Sequence, residues 1–259
     1  AAERLVLLAP SPLAPGRARL ELAFSGLLNN RLRGFYRSTL VGADGVEQTL
    51  ATTQFQSTDA RRAFPCFDEP DMKASFGVTL VVPEDLLAVS NGAEVSRTPL
   101  GDGTDRVVFA DTIELSTYLV AFVVGPMEAT DPVDVDGVPV RIIHPPGRGD
   151  QTAFALEVAA HSLRWLADWY GIDVPGGKVD LVALPDFAFG AMENLGCITF
   201  REVLLLVDPE SADQRELENV ASVLSHELAH LWFGDLVTMR WWNGIWLNEA
   251  FATFMEMKA

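Results

Sequence analysis

Two histidines and the glutamate between them are the residues here most able to do chemistry. His226-Glu227-Leu228-Ala229-His230 sets two imidazoles four residues apart. On an α-helix that spacing puts both on one face, within reach of a single metal ion, with Glu227 beside them. Imidazole suits zinc, and a catalytic zinc usually has three protein ligands and one position open to water. A neighbouring carboxylate can take the proton of a water acidified in that way, so Glu227 is the candidate general base. The third ligand is expected from Trp246-Leu247-Asn248-Glu249, with eighteen residues between His230 and Glu249. That length suits a turn and the start of a second helix packed on the first. Glu249 has Trp246, Leu247, Ala250 and Phe251 around it. A carboxylate in such company needs a partner, and a metal is one.

The elements that must position these groups are legible in outline. Leu217, Val220, Ala221, Leu224, Leu228 and Leu231 form an apolar stripe on a helix expected from about Asp213 to Phe233. With Leu217 at zero and about 100° per residue, His226 falls near ~180° and His230 near ~220°, opposite that stripe. A Trp-rich turn and a helix from about Ile245 follow. Upstream, 152–170 has helical period, ended by Gly171. Lys178–Leu184 and Gly196–Phe200 read as strands, and Gly190–Asn194 as a loop.

The first 140 residues read mostly as strands. Arg19-Leu20-Glu21-Leu22-Ala23-Phe24 alternates with period two, as do Ser75–Val82 and Arg106–Phe109, between Gly/Asp turns. The Pro/Gly stretch His144–Gly149 is the candidate boundary. The fold class is therefore α+β: an antiparallel β-rich domain over 1–145, then a second domain over 146–259.

Composition bounds the rest. Half of the 259 residues are apolar (49%) and 21% charged, which is ordinary globular usage. A net charge of −17 argues against nucleic acid as a partner. The apolar runs are strand-length, so no membrane-spanning segment is expected. Cys66 and Cys197 are read as two free thiols, which favours a reducing, cytoplasmic location. Neither end carries a start or stop signal, so the chain is expected to be a piece of a longer protein, whose targeting signal could lie upstream.

Several strings together resemble the gluzincin metallopeptidases of the aminopeptidase N and puromycin-sensitive aminopeptidase family. They are Gly190-Ala191-Met192-Glu193-Asn194, His226–His230 with Asn248-Glu249, Phe64–Pro70 and Thr199-Phe200-Arg201-Glu202. The resemblance implies that residues 146–259 are the first part of a thermolysin-like peptidase domain. It implies one zinc ion per chain on His226, His230 and Glu249, and peptide substrates with a free N-terminus. Glu193 would bind the substrate's α-amino group, and Gly190, Ala191, Met192 and Asn194 complete the loop lining the scissile bond. Gln56 stands where many members have Glu, and would be a second, uncharged contact to the amine.

Two other readings compete. One is a different gluzincin activity, an endopeptidase or a lipid-epoxide hydrolase. The other is a catalytically dead homologue that acts as a binding module. The intact ligand set and general base argue against the second.

The resemblance also implies an oxyanion-stabilising tyrosine beyond the zinc motif. Tyr36, Tyr118 and Tyr170 all precede it. This chain alone is thus expected to hold zinc weakly and to cleave an aminoacyl chromogenic substrate poorly. Turnover matching a complete enzyme would contradict that expectation.

Overall fold

The computed structural model describes residues 3–42, 45–208 and 210–259. Ala1 and Ala2, at the end read above as carrying no start signal, lie outside them. The first part is antiparallel β-structure. It comprises β1 (Gly34–Val41), β2 (Glu47–Gln54), β3 (Thr79–Pro83), β4 (Leu87–Ser90), β5 (Glu94–Pro99), β6 (Thr104–Phe109) and β7 (Phe122–Gly125). These form one sheet ordered β1-β2-β7-β4 and another ordered β3-β6-β5. On β1 the buried residues are Gly34, Tyr36, Ser38 and Leu40, the period-two pattern of a strand with one face on the core.

The second part combines β8 (Glu128–Ala129), β9 (Val133–Val135), β10 (Val138–His144), β11 (Val179–Leu184), β12 (Ala191–Met192) and β13 (Cys197–Arg201) in a six-stranded sheet. Strands β10, β11 and β13 are parallel. Parallel neighbours need a crossover, and helix α1 (Ala153–Tyr170) supplies it between β10 and β11. Gly171, at φ 62°, ends α1 by turning its amide back to Ala167. All six residues of β11 are buried, as in a parallel strand covered on both faces. This sheet crosses the boundary expected at residue 145, because β8, β9 and β10 precede it and β11, β12 and β13 follow it.

Helices α2 (Gln214–Ala229) and α3 (Trp246–Glu256) complete the fold. Asp213 caps α2 by accepting from the Glu216 amide at 2.8 Å. Val220, Leu224 and Leu228 bury the predicted stripe. The regular helix stops at Ala229, four residues short of the expected Phe233. The amides of Leu231 and Trp232 turn to the carbonyls of Leu228 and Ala229, and Gly234 at φ 143° reverses the chain. Among the described residues no helix is long and apolar enough to cross a membrane.

One expectation is corrected outright. Arg19–Phe24 is not a strand, and Leu20, Leu22 and Phe24 are exposed. Alternation only permits a strand. The backbone N–H and C=O groups must also find a partner strand, and among the described residues this segment has none.

A charged network ties the two parts together. Asp180 on β11 accepts two bonds from Arg141, at 2.7 and 3.1 Å, and one from Lys178 at 2.8 Å. Lys178, itself buried, also donates to the carbonyls of Ser90, the last residue of β4, and of Gly196. Removing one partner of a buried pair leaves the other charge uncompensated. Asp180→Ala is therefore expected to cost about 3–5 kcal/mol, read as a lowered urea midpoint. A midpoint equal to wild type would show that the network is not structural.

Candidate active site

The last turn of α2, its C-cap residue His230 and the first turn of α3 bring three side chains to one point. His226 Nε2 lies 3.1 Å from His230 Nε2, and Glu249 Oε2 lies 3.4 and 3.6 Å from the two nitrogens. These atoms are the donors of the one metal-capable group found among the described residues. A tetrahedral zinc site with bonds of about 2.05 Å has donor-to-donor edges of about 3.3 Å. The observed separations bracket that edge.

The outer ring nitrogens explain why a cation belongs there. His230 Nδ1 is 2.9 Å from the Phe233 carbonyl, and a carbonyl can only accept. His226 Nδ1 is 2.7 Å from the Glu256 carboxylate. Both Nδ1 atoms therefore carry the proton, which leaves each neutral ring with a lone pair on Nε2. Two lone pairs and a carboxylate oxygen then face one another. Only a proton or a metal ion relieves that arrangement, so the residues present fit zinc.

A cavity of about 530 Å³ opens on this centre. Its lining includes Gln56, Ala191, Glu193, Glu227 and the three candidate ligands, with Phe189, Trp242 and Ile245 as apolar walls. The segment expected as a loop, Gly190–Asn194, contains the edge strand β12, paired antiparallel to β13 through Ala191–Phe200 and Met192–Thr199. The two-residue period of a strand sorts its side chains. Phe189, Ala191 and Glu193 face the cavity. Met192 turns inward, where its sulfur accepts from Gln54 Nε2 at 3.4 Å, and buried Asn194 donates to Thr199 Oγ1 at 3.2 Å. Gly190, whose carbonyl accepts from the Arg201 amide at 2.9 Å, lies beside the cavity rather than in its lining.

The electrostatics are those of a buried acidic cluster around two imidazoles. Burial raises Glu227 to about 8, with Glu193 and Glu249 adding to the rise and the histidines opposing it. Burial also raises Glu193. Burial would lower His230, but Glu193, Glu249 and Glu227 outweigh it and raise the ring to about 10. Hydrogen bonds from His226 and His230 hold Glu249 far below the usual carboxylate range. Buried Glu193 Oε1 and Glu227 Oε2 have no hydrogen-bond partner. These unpaired acceptors point to a ligand that brings donors or positive charge.

The supports of the two rings are Glu256 and the Phe233 carbonyl, and not the nearby polar residues Glu202, Asp235 and Asn248. Glu202 lies 3.8 Å from Arg148, Asn248 donates to Tyr118 and Met239, and Asp235 is buried without a side-chain bond. The signal for Glu256 was its place seven residues after Glu249, two helical turns along the same face. The Phe233 carbonyl had no sequence signal, because it depends on how the chain turns after α2. Among the described residues no tyrosine lines the cavity.

Comparison with known proteins places the chain in a family. The model of the Peptidase M1 N-terminal domain matches residues 1–119, and that of the Peptidase family M1 domain matches 154–259. The chain is 47% identical over 253 residues to the puromycin-sensitive aminopeptidase of Caenorhabditis elegans, covering 97% of this chain and 27% of that protein. It is 44% identical over 257 residues to Aminopeptidase M1 of Arabidopsis thaliana, covering 99% and 29%. It is 46% identical over 240 residues to the alanine/arginine aminopeptidase of Saccharomyces cerevisiae, covering 92% and 28%. The chain thus spans less than a third of the length of these relatives. With both of its halves matched in order and its histidine–glutamate centre assembled, this chain belongs to peptidase family M1.

Proposed function

We propose that the chain forms the metal- and amine-binding part of a zinc aminopeptidase that removes N-terminal residues from peptides. The observation that carries this reading is the shared cavity. His226, His230 and Glu249 converge at one wall, and the unpaired carboxylates of Glu227 and Glu193 open onto the same space.

His226, His230 and Glu249 would hold the metal, with Glu256 and the Phe233 carbonyl orienting the two rings. Zinc bound there would act as a Lewis acid and acidify a water. Glu227 stands beside both imidazoles, and its raised proton affinity suits a group that takes a proton and later returns it to a leaving amine. Glu193 would grip the substrate ammonium by a charge-assisted hydrogen bond, with the Gln56 amide oxygen as an uncharged second acceptor. A fixed carboxylate close to the metal leaves room for one residue between amine and scissile bond. β12 is the edge of its sheet, so its free backbone groups can align an extended peptide. The two unpaired cysteines, Cys66 half-buried and Cys197 buried, fit a reducing, cytoplasmic setting.

The test uses the full-length protein. Chelation is expected to abolish cleavage of a free-amine aminoacyl substrate, and N-acetylation of the substrate to prevent it. Glu227→Gln is expected to keep the zinc and to lose roughly 100- to 10,000-fold in turnover. Equal cleavage of the acetylated substrate would refute the aminopeptidase reading. Retained turnover in Glu227→Gln would remove that residue from the chemistry.

Glu256→Ala is expected to weaken zinc binding by about 10- to 100-fold, because His226 loses the acceptor that fixes its tautomer. Competition with a chromophoric chelator reads this directly. An unchanged affinity would show that His226 needs no such support.

A further inference from the structure

Glu193 and the three candidate ligands are carried by different parts of the molecule. The ligands stand on the last turn of α2, its C-cap and the first turn of α3. The segment 186–196, which carries Glu193, is fastened at both ends to the first, antiparallel part. Before β12, Asp186 Oδ2 accepts from Ser38 Oγ at 3.0 Å and from the Thr39 amide at 3.2 Å. The Tyr36 hydroxyl donates to the Asp186 carbonyl at 2.9 Å. After β12, the buried side chain that reaches the segment directly from the first part is Asn91, in the turn that follows β4; beside it the Lys178 ammonium bridges the Ser90 and Gly196 carbonyls.

Asn91 is 2% exposed and its amide is fully used. Nδ2 donates to the carbonyls of Leu119 and Leu195, both at 2.8 Å, and Oδ1 accepts from the Ala121 amide at 2.8 Å. Leu195 is two residues from Glu193. The approach is close enough to require glycine at the next position. Gly196 has φ +70°, and a Cβ there would lie 2.3 Å from the Asn91 carbonyl oxygen. Neither Asn91 nor Leu195 lines the cavity.

We propose that Asn91 is a positioning residue for the substrate's amino terminus: by holding the Leu195 carbonyl it sets where Glu193 stands relative to His226, His230 and Glu249. This rests on the aminopeptidase reading. It assigns the first part of the chain a role in exopeptidase register, the distance between the amine-binding carboxylate and the metal. A shift of that carboxylate by about 1 Å can cost on the order of 100-fold in kcat/KM. Because the lost contact is to the substrate amine, the loss falls chiefly on KM.

Two variants on opposite sides of the contact test this in the full-length protein. Asn91→Asp keeps the acceptor for Ala121 but sets a carboxylate against the Leu195 carbonyl. Gly196→Ala drives the segment away from Asn91. Each is expected to raise KM for a free-amine substrate on the order of tenfold or more, with kcat changed far less. Zinc content should stay at one per chain, and the preference for free over N-acetylated amine should fall. Thr117→Val, which removes a comparable buried bond to Asp68, should lower the melting temperature without moving KM. Unchanged KM and amine preference in whichever variants remain folded would overturn the proposal. So would loss of zinc or of cooperative melting in step with activity in both variants, since Asn91 would then serve folding alone. A wild-type protein with no preference for the free amine would overturn the underlying reading, and the proposal with it.

Discussion

Two imidazole lone pairs held face to face are the constraint on which the rest of the structure depends. At 3.1 Å, with both outer nitrogens committed to acceptors, the rings of His226 and His230 cannot relieve each other by trading a proton along a neutral hydrogen bond. The pair is stable only with positive charge between or beside it. Glu249 supplies the matching anion, and Glu193 and Glu227 deepen the negative potential around it. The centre is therefore prepared for a cation before any substrate arrives.

Each neighbouring element serves that arrangement. The stripe of Val220, Leu224 and Leu228 fixes the rotation of α2, and so the direction of both histidines. Ending the helix at Ala229 brings the Phe233 carbonyl round to His230. Packing of α3 on α2 delivers Glu249 to the metal side of His226 and Glu256 to its outer nitrogen, two turns of one helix holding two sides of one ring. Lys73, near the Phe64–Pro70 segment, donates to the carbonyls of Asp235 and Leu236 at 2.8 and 3.1 Å, which pins the turn after α2 to the first part of the chain. Asp68 in that segment is likewise bound by Arg61 and Thr117.

What was legible in the sequence was local. His226 and His230 declared themselves because helical spacing puts them on one face, and Glu249 by its place at the start of the next helix among apolar neighbours. The strands around Val179–Leu184 and Cys197–Arg201 declared themselves by their apolar runs. What was hidden was tertiary. Asn91 looks like any turn residue until Leu195, 104 positions later, is found against its amide. The β-alternation of Arg19–Phe24 was real but had, among the described residues, no strand beside it to pair with. The sheet built from β8 to β13 ignores the Pro/Gly stretch after His144, because that stretch is the link into a crossover helix and not a break between sheets. Of the strings that carry the family resemblance, Met192 and Asn194 turn into the interior while Ala191 and Glu193 face the cavity, a division that only the pairing of β12 reveals.

The most direct measurement is the zinc K-edge X-ray absorption spectrum of the zinc-loaded protein. Two imidazole nitrogens and a carboxylate predict nitrogen and oxygen scatterers at about 2.0–2.2 Å, with the multiple-scattering pattern of two histidine rings and no sulfur shell near ~2.3 Å. In His230→Ala the histidine pattern should drop to one ring. A sulfur shell, a spectrum without imidazole, or one that His230→Ala leaves unchanged would contradict the convergence of His226, His230 and Glu249 on one ion.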